Sequence, residues 1–205
     1  MDWAGRLASL RDRNRRHDAF FRKARSEGFV ARSVYKLEEI DRRLHLLRAG
    51  ARVLDLGCRP GSWLQYTCKV VGPHGVVVGV DRQPLPQPVL GARVLVADIF
   101  TLSDRELLCD QAAFDAVLSD MAPDTTGVRA TDQARSAALV EEALGRAERL
   151  LAPLGAFLAK VFQSPEVARI RARMSRRFSE VRLLKPESSR GESTELYLVG
   201  KGFSP

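Results

Sequence analysis

The 205-residue chain has only three cysteines, Cys58, Cys68 and Cys109, and no CxxC pair. An odd, unpaired set of thiols excludes a disulfide framework and a cysteine-built zinc site, so no metal is expected and a reducing, cytosol-like compartment is. Long apolar runs are missing too. Nowhere is there a stretch long enough to span a bilayer, and the opening MDWAGRLASLRDRNRRHDAFF lacks the apolar segment of a secretory signal. Its arginines leave a mitochondrial address as the alternative to the cytoplasm, against which stand Asp2, Asp12 and Asp18. The Walker lysine motif and the three-glycine dinucleotide fingerprint are absent, which removes the common phosphate cradles.

Acidic residues are outnumbered, 25 against 33 Lys and Arg, and the excess of +8 is uneven. Residues 1–48 carry 13 basic against 7 acidic side chains, residues 49–165 carry 11 against 13, and residues 166–205 carry 9 against 5. Two basic ends around a near-neutral middle suggest a polyanion met by the ends while the middle holds something else. Solvated basic tails are the plainer reading of the same numbers.

What is present is a regular alternation. The runs ARVLDLG (51–57), GVVVGVD (75–81), ARVLVAD (92–98), FDAVLSD (114–120) and GAFLAKVF (155–162) are short, apolar and β-branched, as buried parallel strands are. Helical periodicity separates them, best marked over 131–152, and the pattern predicts a doubly wound α/β sheet. SEVRLLKP (179–186) and TELYLVGKG (194–202) have no helix between them and predict an antiparallel finish. Before the sheet, SVYKLEEIDRRLHLL (33–47) predicts an amphipathic helix capped by Ser33. The three prolines of RQPLPQPVLG (82–91) suit a stiff surface loop.

VLDLGCRPGSW (53–63) turns at once from strand into glycine, proline and glycine, so Gly57 and Gly61 let a ligand approach bare backbone and Pro60 stiffens the turn. Four of the five parallel strands end in aspartate: Asp55, Asp81, Asp98 and Asp120. In an open α/β sheet these ends share one crevice. Such an acidic crevice repels pyrophosphate and suits a cation, which favours S-adenosylmethionine, with Asp81 spaced to meet ribose hydroxyls and Asp98 one strand farther out toward an adenine. Taken singly, each aspartate reads as a cap or turn residue. Lys160 interrupts an apolar strand, so its ammonium either reaches the strand end to pair with Asp120 or, with its pKa lowered by burial, serves as a base.

HDAFFRKARSEGFVARSVYKL, VLDLGCRPGSWLQ, SDMAPDTTG, LAKVF and KPESSRGESTELYLVGKGF, in that order over about residues 17–203, resemble the FtsJ family of ribose 2'-O-methyltransferases. The resemblance implies a Rossmann-like class I S-adenosylmethionine-dependent methyltransferase fold with a mostly parallel seven-stranded sheet and an antiparallel C-terminal strand. It divides the chain into a basic arm (1–30) and a methyltransferase domain (31–205). It implies methylation of a uridine in large-subunit (23S) ribosomal RNA, within the large ribosomal subunit, by a monomer that needs no metal or membrane. It places a catalytic tetrad on Lys36, Asp120, Lys160 and Glu195, and cofactor contacts on Gly61, Trp63, Asp81, Asp98 and Asp120, to which the reading of the glycine loop adds Asp55, Gly57 and Pro60.

Arg15, Arg16, Arg22, Lys23, Arg25 and Arg32 are the candidate RNA contacts, interleaved with Phe20, Phe21 and Phe29, which either stack on bases or pack on the domain. Cys58, Arg59 and Ser62 stand where the family usually has small residues, and Asp124 where it has asparagine. Arg59 is positioned to pair with the methionine carboxylate or an RNA phosphate, or to repel the sulfonium. Transfer RNA or a messenger cap as substrate, a small-molecule methyltransferase, and a noncatalytic ribosome-assembly protein of the same fold are the competing readings.

Overall fold

The computed structural model describes residues 19–108, 112–189 and 194–205. A helical stretch over 19–26 (α1) leads to α2 (Val34–Leu44), β1 (Arg52–Leu56), α3 (Ser62–Val71), β2 (Val76–Asp81), β3 (Ala92–Val96) and α4 (Asp104–Leu108). There follow β4 (Phe114–Ser119), α5 (Arg129–Leu150), β5 (Leu151–Phe162), α6 (Glu166–Met174), β6 (Phe178–Leu184) and β7 (Glu195–Phe203). The seven strands lie in the order β3-β2-β1-β4-β5-β7-β6. β1 to β5 are mutually parallel, and β7 runs antiparallel between β5 and β6. The expected doubly wound sheet with an antiparallel finish is therefore present.

Each face of the sheet carries its own apolar layer. α5 and α6 bury Val140, Leu144, Ala147 and Ile170 on one face against Leu54, Leu56, Val117 and Phe157. On the other, Val34, Leu37, Ile40 and Leu44 of α2 and Leu64 of α3 pack on Val53, Val77, Leu118, Leu158 and Val199. Strand side chains alternate between faces. The alternation carries Asp55, Asp120, Lys160, Glu195 and Tyr197 to the side of α2 and α3.

Three local expectations are corrected. Ser33 does not cap α2: it makes no capping hydrogen bond, and its hydroxyl instead meets that of Ser62 at 2.9 Å. α2 stops at Leu44 rather than residue 47, because His45 takes a left-handed conformation and Asp41 accepts the amides of Leu46 and Leu47 at 2.9 and 2.8 Å. β5 begins at Leu151, pairs with Phe114, and resumes after a register shift at Ala156. Among the described residues, no helix is long and apolar enough to cross a membrane.

Candidate active site

β1 and β4 are neighbours whose following helices lie on opposite faces, which opens a crevice beyond their carboxyl ends. A cavity of about 640 Å³ lies there, lined among others by Gly57, Arg59, Asp81, Asp98, Asp120 and Lys160. The glycine loop is folded back onto the sheet, with the amides of Gly57 and Cys58 donating to the Val80 carbonyl at 2.8 and 3.1 Å. Gly57 has φ 75°, and a side chain there would come within 2.9 Å of the Met121 backbone. Only glycine lets the two loops approach so closely.

The acidic groups occupy three different environments. Asp81 faces the cavity and accepts the amides of Arg59 at 3.1 Å and Gln83 at 3.0 Å, so its carboxylate is held in place by backbone. Asp98 also lines the cavity and accepts the Phe100 amide at 3.0 Å. Asp55 differs: it is 0% exposed, neither carboxyl oxygen has a hydrogen-bond partner among the described residues, and it is not in the cavity wall. Burial, then the charges of Asp120 and Asp81, raise its pKa well above the usual carboxylate value. A neutral acid beneath the loop is what such a site permits. Asp55, expected among the cofactor contacts, thus stands behind the cavity wall.

Pro60, Gly61 and Trp63 also lie outside the cavity lining. Gly61, at φ 112°, heads α3 and faces Leu85 and Val89. Trp63 is buried and donates its indole N–H to the Ser33 carbonyl at 2.9 Å. Gln65 bonds the Val30 amide and the Gly28 carbonyl. These contacts tie the segment before α2 to the first turns of α3, and so fix where α2 delivers Lys36.

Two ion pairs are linked beside the crevice: Lys160 and Asp120 line the cavity, whereas Lys36 and Glu195 lie outside its lining. Lys160 is 7% exposed; its Nζ lies 2.9 Å from Asp120 Oδ1 and donates to the Asp120 carbonyl at 2.6 Å. Lys36 is 9% exposed and meets Glu195 Oε2 at 2.6 Å. Tyr197 links the pairs. It is opposite Lys160 in the β5 and β7 register, donates to Asp120 Oδ1 at 3.3 Å, and its ring lies 5.9 Å from Lys36 Nζ. Burial, then the nearby carboxylates, raise its phenol pKa, which keeps the hydroxyl a donor. Sequence reasoning missed Tyr197; the signal was its two-residue step from Glu195.

Residues 29–203 match the FtsJ-like methyltransferase family. The chain belongs to that family. It is 45% identical over 186 residues to the ribosomal RNA large subunit methyltransferase E of Bdellovibrio bacteriovorus, covering 89% of this chain and 95% of that one. The protein of the same name from Sorangium cellulosum is 46% identical over 191 residues, covering 91% and 88%. A solved structure from Plasmodium falciparum, described as a ribosomal RNA methyltransferase, aligns with a TM-score of 0.75 at 25% identity, covering 85% of this chain and 98% of that one.

On this FtsJ-like methyltransferase the basic candidates fall into separate groups. Arg22, Lys23 and Arg25 are exposed on α1, and Lys23 sits 4.5 Å from the Tyr35 ring centroid. Arg32 is half-buried, and Arg15 and Arg16 lie outside the described residues. Phe20 and Phe29 pack on the α2 and α3 layer, whereas Phe21 is exposed. At the other end of the chain, Arg169 pairs with Glu141 and Arg173 with Glu148, so part of the C-terminal charge ties α6 to α5. Arg82 and Asp124, 3.6 Å apart, meet at the cavity wall.

Proposed function

We propose that the enzyme transfers a methyl group from S-adenosylmethionine to the 2'-oxygen of a ribose in RNA, a uridine of large-subunit ribosomal RNA being the favoured target. The observation that carries the reading is the pair of buried lysines held by carboxylates, Lys160 with Asp120 at 2.9 Å in the cavity wall and Lys36 with Glu195 at 2.6 Å, linked to it through Tyr197. The names of the relatives support ribosomal RNA as the substrate.

The residues fit the cofactor. Three cavity-lining carboxylates, Asp81, Asp98 and Asp120, match its ammonium, ribose hydroxyls and base amine, and the bare backbone at Gly57 leaves the approach open. When bound, S-adenosylmethionine supplies a methyl group made electrophilic by its sulfonium. The chain supplies the rest. Asp81 would hold the ribose and Asp98 the adenine, while Asp120 would hold the methionine ammonium and keep Lys160 in place. Lys160 would orient the ribose 2'-hydroxyl of the RNA as the ammonium or, meeting it as the free amine, take its proton as the oxygen becomes nucleophilic. Lys36 and Glu195 would complete an alternating set of charges around that hydroxyl. Residues 1–30, with Arg22, Lys23 and Arg25, would serve as the basic arm on the phosphates. The reading is of a cytoplasmic monomer that meets its RNA within the large subunit.

Labelled cofactor, offered to ribosomal RNA and large subunits from cells lacking the protein, to transfer RNA, to capped messenger RNA, and to a small-molecule extract, tests the proposal. Transfer to the ribosomal samples is expected. Transfer only to one of the other pools, or to none, would overturn it.

A further inference from the structure

Between β3 and α4 the chain has no regular structure, yet residues 98–100 line the cavity. The segment is a tight turn. The Asp98 carbonyl accepts the amides of Thr101 at 3.1 Å and Leu102 at 3.0 Å, and the Asp98 side chain accepts the Phe100 amide. Ile99 is buried in the core while Phe100 is 55% exposed. Backbone carbonyls turned inward from such a loop need donors.

One side chain of α5 supplies them. Arg146 is 7% exposed, and its guanidinium donates to the Ile99 and Leu102 carbonyls, to Asp104 Oδ1 and to Glu142 Oε1, each at 2.7 Å. Arg149 grips the other side of the same carboxylate, with Nε 2.6 Å from Asp104 Oδ2. Burial of a guanidinium is costly unless its donors are used. Here they are used on a loop whose opposite side faces the cavity. A planar group with five donors can hold two carbonyls and two carboxylates at once; an ammonium has three donors and no fixed plane.

We propose that Arg146, though outside the cavity, is a positioning residue that sets adenine selectivity by fixing the turn that carries Asp98. This rests on the cofactor reading above. Asp98 distinguishes adenine from hypoxanthine only if its carboxylate stays where the exocyclic amine arrives, because a site built to pair with a polar group discriminates against a ligand lacking it. With the turn released, the amine loses its fixed acceptor, while contacts made at Asp81 and Asp120 persist.

The test is calorimetry with S-adenosylhomocysteine and S-inosylhomocysteine on the whole protein and on Arg146→Lys. The wild type is expected to prefer the adenine compound. In the variant its affinity should fall by at least about 10-fold while that of the inosine compound changes by less than about 3-fold, so that the preference collapses. Asp104→Asn, which loosens the same clamp from the loop side, takes the measurement if Arg146→Lys does not fold. An unchanged preference, whether both affinities hold or both fall together with the melting temperature, would overturn the proposal. Wild-type protein that binds neither compound would overturn the cofactor reading instead.

Discussion

Lys160 is where residue-scale chemistry is most constrained. Its ammonium has a carboxylate at 2.9 Å and a carbonyl at 2.6 Å, both from Asp120, which fixes the direction of its remaining capacity to bond. Lys160→Arg keeps the charge and can still pair with Asp120, so folding and cofactor affinity should survive. Arginine cannot give up its proton near neutral pH, and its planar group cannot place one donor where the ammonium stood. Single-turnover methyl transfer at saturating cofactor and RNA should fall by at least about 100-fold, the low end of what a proton-transfer group contributes. A variant within a few-fold of wild type would reduce Lys160 to a structural partner of Asp120. Asp120 and Lys160 were legible in the sequence because the first closes an apolar strand and the second interrupts one. Tyr197 was not, because its partner is 77 residues away and an aromatic in a strand looks like core.

At the scale of elements, strands were read more surely than their order. Short apolar, β-branched runs and terminal aspartates show in the sequence alone, whereas the placing of β7 between β5 and β6 depends on pairing across the sheet. The same limit hid the Arg146 clamp, which joins residues 42 to 47 apart. Within β5, between its pairings at Leu151 and Ala156, the backbone is irregular. Leu154 has φ 66° and is 84% exposed, so a left-handed leucine sits there with little packing to offset its strain. That conformation costs an L-residue about 1–2 kcal/mol, and glycine avoids the cost while gaining about 0.4–1 kcal/mol of unfolded-state entropy. Leu154→Gly should therefore stabilise the protein by about 0.5–1 kcal/mol, seen as a higher urea midpoint at unchanged slope. A lower midpoint would mean that Leu154 makes contacts that outweigh its strain.

For the whole molecule, the two basic ends suggested by composition are unequal in the structure. β5 ends at the crevice with Phe162 opposite Glu195, whereas β6 begins at the far end with Phe178 opposite Phe203. Arg176 and Arg177, just before Phe178, are therefore remote from the site, while α1 precedes the segment tied to α3. RNA affinity should fall steeply with salt, and Arg22→Glu with Lys23→Glu and Arg25→Glu should flatten that dependence by about 2 to 3 in logarithmic slope. Arg176→Glu with Arg177→Glu should leave it unchanged. Equal slopes in all three proteins would mean that the α1 side chains are only solvated. The central claim, methylation of a ribose 2'-oxygen, has its own chemical signature, because alkaline cleavage of RNA requires a free 2'-hydroxyl. The decisive measurement is alkaline hydrolysis of large-subunit RNA labelled by this enzyme from methyl-labelled S-adenosylmethionine: the label should emerge in an alkali-resistant dinucleotide with uridine on its 5' side, and label recovered in mononucleotides would contradict the account.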